Sequence, residues 1–387
     1  MFAEGGFFQH LTPSKVVFSP AGVDRLGDEI DLLGGRRVLL VCGTSVRKSE
    51  AFELVREALG ARVMAVFDGV VPHSSPEVVD AGVETLRATG ADLVVSLGGG
   101  SAIDTAKGMI LLHAEGGSLE EHRVRYTPPD RIHYKNFTHA MLPHAAIPTT
   151  YSGSEVNAGA GIRVPEKHVK YVVSAPQLCP RLAYLAPSLT TGLPPDLTGG
   201  SGMNCLAHAV EALYSRNRQP IADALALGTI ELLFEWLPRA VAEPSHLEAR
   251  GRLLIASAMA GLALANAKVA VHHAMCHVIG ARFGIHHGLA NAVMLPHVME
   301  FNRPAAGEPL ARAACAMGWK PSAAAAIQAV SELATSIGVP RRLRDLGVPR
   351  EALQTMAEDA FLDRDVYYNP RRLEGPRDIL AIYEAAW

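Results

Sequence analysis

Strand signals stop near residue 190, and that break constrains the fold of this chain more than any other feature. Before it, short β-branched runs alternate with helical patterns. Val38 to Cys42 reads as a buried strand, Ser49 to Leu59 as an amphipathic helix and Arg62 to Phe67 as the next strand. Pro76 to Thr89 follows as a helix, and Asp92 to Leu97 as a strand running into glycines. Such alternation predicts a parallel sheet covered by helices on both faces. Residues 115 to 145, rich in charge, His and Pro, read as a long loop leading to a strand at Ala145-Ala146-Ile147. Beyond the break, Ala/Leu/Glu-rich periodic segments at 204–215, 220–243, 246–280 and 323–346 predict helices alone. Gly192-Leu-Pro-Pro-Asp196 is placed between the halves as a hinge, with Pro at a helix start. The expected architecture is an α/β N-terminal domain, residues 1–190, followed by an all-α C-terminal domain, residues 191–387. A chain of 387 residues suffices for both, because single cores seldom grow beyond about 250–300 residues.

Composition narrows the partners. A formal net charge of −3 provides no basic field for nucleic acid or an anionic membrane. Five cysteines without CxxC spacing read as reduced thiols of a cytoplasmic protein. The first fifteen residues lack a basic segment followed by an apolar one, so no signal peptide is expected. The most apolar stretch, Leu253 to Val271, is interrupted by Asn266 and Lys268 and fits a buried helix better than a membrane span. A small-molecule substrate is the expected partner, and a homodimer the expected assembly by base rate.

Two segments carry phosphate-binding chemistry. Asp92-Leu-Val-Val-Ser-Leu97 runs into Gly98-Gly99-Gly100-Ser101 and then the helical Ala102-Ile-Asp104-Thr-Ala-Lys107. Glycines let the backbone approach a pyrophosphate, and the first-turn N–H groups and helix dipole favour its charge. The GxGxxG order is absent, and a structural turn is the competing reading. Thr149-Thr150-Tyr151-Ser152-Gly153-Ser154-Glu155 follows the next strand. Its hydroxyls suit cofactor phosphate or ribose, although Ser154 would also serve as a helix N-cap. These segments make the first domain a dinucleotide-binding one.

Together GGGSAIDTAKG and PTTYSGSE resemble the two cofactor segments of the iron-containing alcohol dehydrogenase superfamily, in the same order and spacing. The resemblance runs from about Val17 to the end and includes Asn369-Pro370-Arg371. It implies NAD(P)H as cofactor, contacted by Gly43, Thr44, Ser45, Gly98, Gly99, Gly100, Ser101, Asp104, Thr149, Thr150, Ser152, Ser154 and Lys170. Relatives restricted to NAD often carry an aspartate where Gly43 stands, so NADPH is expected to be accepted at least comparably with NADH.

The second half concentrates histidine. Asn204 and His208 lie four apart on one predicted helix face, His273 and His277 repeat that spacing, and His287 follows. In metal-dependent members of the superfamily the matching positions are an aspartate and three histidines, which implies Asn204, His208, His273 and His287 as the ligand set for iron or zinc. His277 matches a histidine placed near the nicotinamide. The resemblance thus makes His208, His273, His277 and His287 the candidate catalytic residues, while His272 and His286 receive no role. Asn204 offers a neutral carbonyl in place of an ionised oxygen, so the expectation is weak or absent divalent metal.

Asn204 in SGMNCLAHAVEALY, together with HHAMCHVIG, Tyr151 and His73, resembles the maleylacetate reductase branch, which works without bound metal. His286-His287-Gly-Leu-Ala-Asn291 instead resembles the metal-dependent alcohol dehydrogenases, and Leu185-Ala186-Pro187 stands where relatives commonly carry Asp-Pro. The leading expectation is hydride transfer from NAD(P)H to a carbonyl or enone, maleylacetate reductase-like. The alternatives are a metal-dependent alcohol dehydrogenase or aldehyde reductase, and a nucleotide-binding protein that has lost catalysis. Arg282 is the arginine nearest the histidines in sequence.

Overall fold

A computed structural model describes residues 14–387, so the segment searched for a leader lies almost wholly outside the described residues. The first half is built on a six-stranded sheet. Its strands are β1 (Lys15–Phe18), β2 (Val38–Gly43), β3 (Val63–Val70), β4 (Leu93–Gly98), β7 (His144–Pro148) and β10 (Leu182–Leu185), in the order β1-β10-β7-β4-β2-β3. Every pairing in it is parallel. Helices α1 (Leu26–Leu32), α2 (Thr44–Arg47), α3 (Glu50–Leu59), α4 (Pro76–Thr89) and α5 (Gly100–Glu115) connect the strands. Strands β4, β7 and β10 are buried throughout, whereas of the outer strands β1 is largely exposed and β3 mostly half-buried, as expected for a sheet covered on both faces.

The helix α4 begins and ends where its sequence dictates. Ser75 accepts a hydrogen bond from Val78 N–H at the start, Pro76 occupies the first turn, and Gly90 stops the helix in the left-handed region.

The stretch 115–145 is not a plain loop. It contains α6 (Leu119–His122) and a small hairpin of β5 (Arg125–Thr127) and β6 (Arg131–His133). A second antiparallel hairpin, β8 (Gly159–Val164) with β9 (Val169–Ser174), was also not anticipated. Ala160, Ile162, Val164, Tyr171 and Val173 from it share an apolar cluster with Met109 and Ile110 of α5. Glycines at 159 and 161 dilute the alternation that marks a half-buried strand.

After Leu185 the chain is helical: α7 (Pro195–Tyr214), α8 (Pro220–Ala242), α9 (Leu247–Ala267), α10 (Val271–Phe283), α11 (His287–Asn302), α12 (Gly307–Ala316), α13 (Ala323–Ser336), α14 (Leu353–Phe361) and α15 (Pro376–Ala386). Two expected segments are broken. The run 246–280 splits into α9 and α10, bent by 110°, at Lys268, whose φ is 66°. The run 323–346 stops at Ser336, before Gly338 in the left-handed region. Leu253 to Ala267 lie in the largely buried α9, and among the described residues no single helix is long and apolar enough to cross a membrane.

Helix α7 lies at the centre of the second half and is almost entirely buried. It approaches α11 where a Cβ on Gly288 would stand 2.3 Å from the Gly200 carbonyl carbon. No side chain fits there, and the closeness brings His287 beside the α7 face that carries Asn204 and His208.

Candidate active site

The parallel register puts the ends of two strands side by side, pairing Gly98 with Pro148, and Thr149 N–H donates to Gly98 O at 2.9 Å. The glycine turn and the hydroxyl loop therefore face each other at the carboxyl edge of the sheet, where α/β sheets bind ligands. Gly98 has φ 148°. A Cβ on Gly99 would lie 2.9 Å from Thr150 Oγ1, and one on Gly100 would lie 3.2 Å from Ser152 Cβ. The N-cap Gly99 supplies no side-chain acceptor to the first turn of α5. A cradle floored by glycine, with the positive end of a sixteen-residue helix and hydroxyls around it, fits a dinucleotide phosphate.

Buried side chains hold the hydroxyl loop. Lys107 Nζ donates to Ser154 O at 2.8 Å, Gly159 O at 2.8 Å and Asn157 Oδ1 at 3.3 Å. Ser257 on α9 accepts from Gly153 N–H at 3.0 Å and donates to Glu155 Oε1 at 2.8 Å. Arg250, buried, donates to Tyr151 Oη at 3.1 Å, Thr198 Oγ1 at 2.8 Å and Leu193 O at 3.2 Å. These three side chains tie the loop to both halves, and sequence reading assigned none of them. Ser154 is not an N-cap: Gly153, with φ 73°, takes that place before a short 3₁₀ turn.

One cleft gathers most of the predicted residues. Gly100, Ser101, Asp104, Thr150, Ser152, Ser154 and Lys170 line it from the first half, and Asn204, His208, His273, His277 and His287 from the second. Its empty space, mouth included, is about 1170 Å³. Gly98, Gly99 and Thr149 are not in its lining, and neither are Gly43, Thr44 and Ser45 at the end of β2. Gly43 has its own constraint, since a Cβ there would lie 3.0 Å from Val70 O. Lys170 lays its stem across Gly161, where a Cβ would stand 2.2 Å from Lys170 Cε.

The histidines pack ring to ring. His208 stacks on His273 with centroids 4.6 Å apart, His273 lies 5.6 Å from His287, and His277 stacks on His287 at 5.8 Å. Burial pushes His208, His273 and His287 well below the usual histidine pKa, and the Lys170 charge adds to the effect. They are therefore neutral, as ligands to a cation must be. Asn204 Oδ1, His208 Nδ1 and His273 Nε2 are buried without a hydrogen-bond partner.

Behind His273 stands Glu211, one turn beyond His208 on α7. Glu211 Oε2 hydrogen-bonds His273 Nδ1, and Oε1 accepts from His272 N–H at 3.0 Å. Burial raises the Glu211 carboxyl to about 7. A carboxylate behind an imidazole fixes its tautomer and aims the other nitrogen outward, the usual arrangement for a metal-ligating histidine. The donors at Asn204, His208, His273 and His287 thus fit a divalent cation in kind, with no anionic oxygen among them. His208 and His287 are nonetheless outside the tight clusters. Among the described residues, ligand atoms within 4.8 Å of one another occur in Glu211–His272–His273 and His277–Asp363–Asp365.

In the second cluster His277 Nδ1 meets Asp363 Oδ2 at 2.9 Å and Asp365 Oδ2 at 3.8 Å. His272, left without a role by the sequence, joins α10 to α11 through Nε2 and Asn291 O at 3.2 Å. His286 precedes α11 and lines the cleft. His73 also lines it, with Nε2 3.0 Å from Ile285 O. Arg282 is bound to Asp359 at 2.5 Å and is absent from the lining.

Comparison with known proteins agrees with this geometry. The sequence profile of "Iron-containing alcohol dehydrogenase" matches residues 13–187, and that of "Fe-containing alcohol dehydrogenase family, C-terminal" matches residues 198–387. The chain is 35% identical over 394 residues to 1,3-propanediol dehydrogenase of Klebsiella pneumoniae, covering 98% of this chain and 99% of that one. It is 34% identical over 381 residues to maleylacetate reductase 2 of Cupriavidus pinatubonensis, covering 98% and 96%. The crystal structure of a 1,3-propanediol oxidoreductase superposes with a TM-score of 0.92 at 34% identity, covering 98% of this chain and 100% of the other. Both branches seen in the sequence are thus matched almost equally well. By fold, site and sequence, this enzyme is an oxidoreductase and belongs to the iron-containing alcohol dehydrogenase family.

Proposed function

We propose that this enzyme transfers hydride between NAD(P) and a small carbonyl or enone substrate, with reduction of maleylacetate type as the leading reading. The observation that carries it is the single cleft lined at once by the glycine-turn helix start, the hydroxyl loop and the histidine cluster. A bound reduced nicotinamide supplies the hydride. The first turn of α5 and the hydroxyls of Thr150, Ser152 and Ser154 hold phosphate and ribose, and Lys170 adds charge. Gly43 neither hydrogen-bonds the ribose hydroxyls as an aspartate would nor repels a 2′-phosphate, so NADPH serves at least as well as NADH.

Charge developing on the substrate oxygen must be met by donors in the cleft. His277, held at Nδ1 by Asp363, is the first candidate to meet the substrate oxygen. His273 donates from Nε2 only when the proton shared with Glu211 resides on the carboxyl. With Glu211 ionised, His273 Nε2 is a lone pair instead. That observation favours a second reading, a metal-dependent alcohol dehydrogenase or aldehyde reductase in which Asn204, His208, His273 and His287 hold iron or zinc and the ion polarises the oxygen.

Steady-state oxidation of NADPH and NADH across aldehydes, ketones and oxo acids tests the proposal, with metal content measured on the same preparation. Turnover that persists after chelation supports the leading reading. Stoichiometric metal, with activity abolished by chelator and restored by the ion, establishes the second. A preference for NADH of about a hundredfold, or roughly 2.7 kcal/mol, would refute the cofactor assignment.

A further inference from the structure

The sequence shows no arginine cluster for an anionic substrate, and the structure takes Arg282 out of consideration. Another arginine occupies the cleft. Arg364 opens the 3₁₀ turn Arg364–Tyr368 and follows Asp363, the residue bound to His277. It lines the same cleft as the histidines, with only 20% of its side chain exposed. Among the described residues its guanidinium donates no hydrogen bond to the protein. Its nearest carboxylate oxygen, Asp365 Oδ1, lies 3.4 Å from Nε without hydrogen-bond geometry, and Nε is buried and unpartnered. A mostly buried guanidinium with five donors normally has planar acceptors, because desolvated donors left unmade are costly.

We propose that Arg364 binds a carboxylate of the substrate, so that the preferred substrate is an oxo acid and not an uncharged aldehyde or ketone. This rests on the hydride-transfer reading above. Arg364 is one residue from the carboxylate that holds His277, which puts the anion site beside the reacting carbonyl. The α5 start and the hydroxyl loop, which line the same cleft, remain for the cofactor phosphates. Carboxylate and phosphate present the same chemistry to a guanidinium, so the test separates them.

Arg364→Ala and Arg364→Lys are compared with wild type on matched pairs of carbonyl compounds, each with and without a terminal carboxylate, such as 4-oxobutanoate and butanal. NADPH affinity is read by fluorescence titration, and folding by the thermal midpoint. Wild type should favour the carboxylated member of a pair. Arg364→Ala should lower kcat/KM for that member about thirtyfold more than for its uncharged partner, the size expected for losing a charge-assisted hydrogen bond. Arg364→Lys should recover part of the loss, and it carries the test if the alanine variant fails to fold. Equal losses on both members of a pair would overturn the proposal. So would a loss confined to NADPH affinity, which would assign Arg364 to the cofactor. Absence of NAD(P)H oxidation with every carbonyl would overturn the hydride-transfer reading itself, whereas turnover of uncharged carbonyls with no carboxylate preference overturns this inference alone.

Discussion

At the residue scale, Asn204 Oδ1, His208 Nδ1 and His273 Nε2 pose the sharpest energetic question, because all three are buried without a partner. Leaving such an atom unsatisfied costs roughly 1–3 kcal/mol, so the site is built to receive something. The asparagine gives up one anionic ligand, and Glu211 supplies a carboxylate one residue further out, through His273. Glu211→Gln should keep a hydrogen bond to His273 but remove the charge, and should weaken zinc or nickel binding by about 10–100-fold. Asn204→Asp should act oppositely and tighten it. Competition with a chromophoric chelator measures both, and unchanged affinity in a folded Glu211→Gln protein would show that the carboxylate does not act on the ligand set. The histidines were legible in the sequence because their four-residue spacing is local and their motif specific. Glu211 lies inside the same quoted motif, but its role depends on a contact with His273 sixty-two residues away. No local pattern reports such a contact, and the same holds for Arg364.

At the element scale, the cofactor loop is held by α9 as much as by its own strand. Gly261 on α9 packs on Gly153 so closely that a Cβ would lie 2.5 Å from Gly153 O and 2.6 Å from Val156 Cγ2. Backbone cannot yield there as a side-chain tip can. Gly261→Ala should therefore cost about 1–3 kcal/mol of stability by overpacking and, by displacing residues 150–155, raise the KM for NADPH. Gly228→Ala is the matched control, since its Cβ would meet only the Met259 methyl, 2.7 Å away at the end of a flexible side chain. Similar cofactor KM values in both variants would mean that α9 does not position the loop. Elements with strong local signals were readable: α4 has its cap, its proline and its terminal glycine. Those without were not. The β8–β9 hairpin carries two glycines on one strand, and Lys268 adopts φ 66° with no glycine to announce the break between α9 and α10.

At the scale of the whole molecule, the chemistry belongs to neither half alone. The carboxyl edge of the sheet brings the phosphate cradle, and α7, α10 and α11 bring the histidines. Arg163 Nε donates across the join to Ala281 O at 2.8 Å, and His73 Nε2 lies 3.0 Å from Ile285 O. The change of texture near residue 190 announced two kinds of architecture, because periodicity is a property of each segment by itself. How the two faces meet was not legible, since it depends on close approaches such as Gly200 against Gly288 and on side chains whose partners are distant in sequence. The central claim is that this composite cleft passes hydride directly between cofactor and substrate. Reduction of an accepted oxo acid or aldehyde with NADPH carrying deuterium at the transferring C4 position tests it most directly. The account predicts one deuterium on the reduced carbon of the product and none from solvent at that carbon, whereas a product without cofactor-derived deuterium there would contradict it.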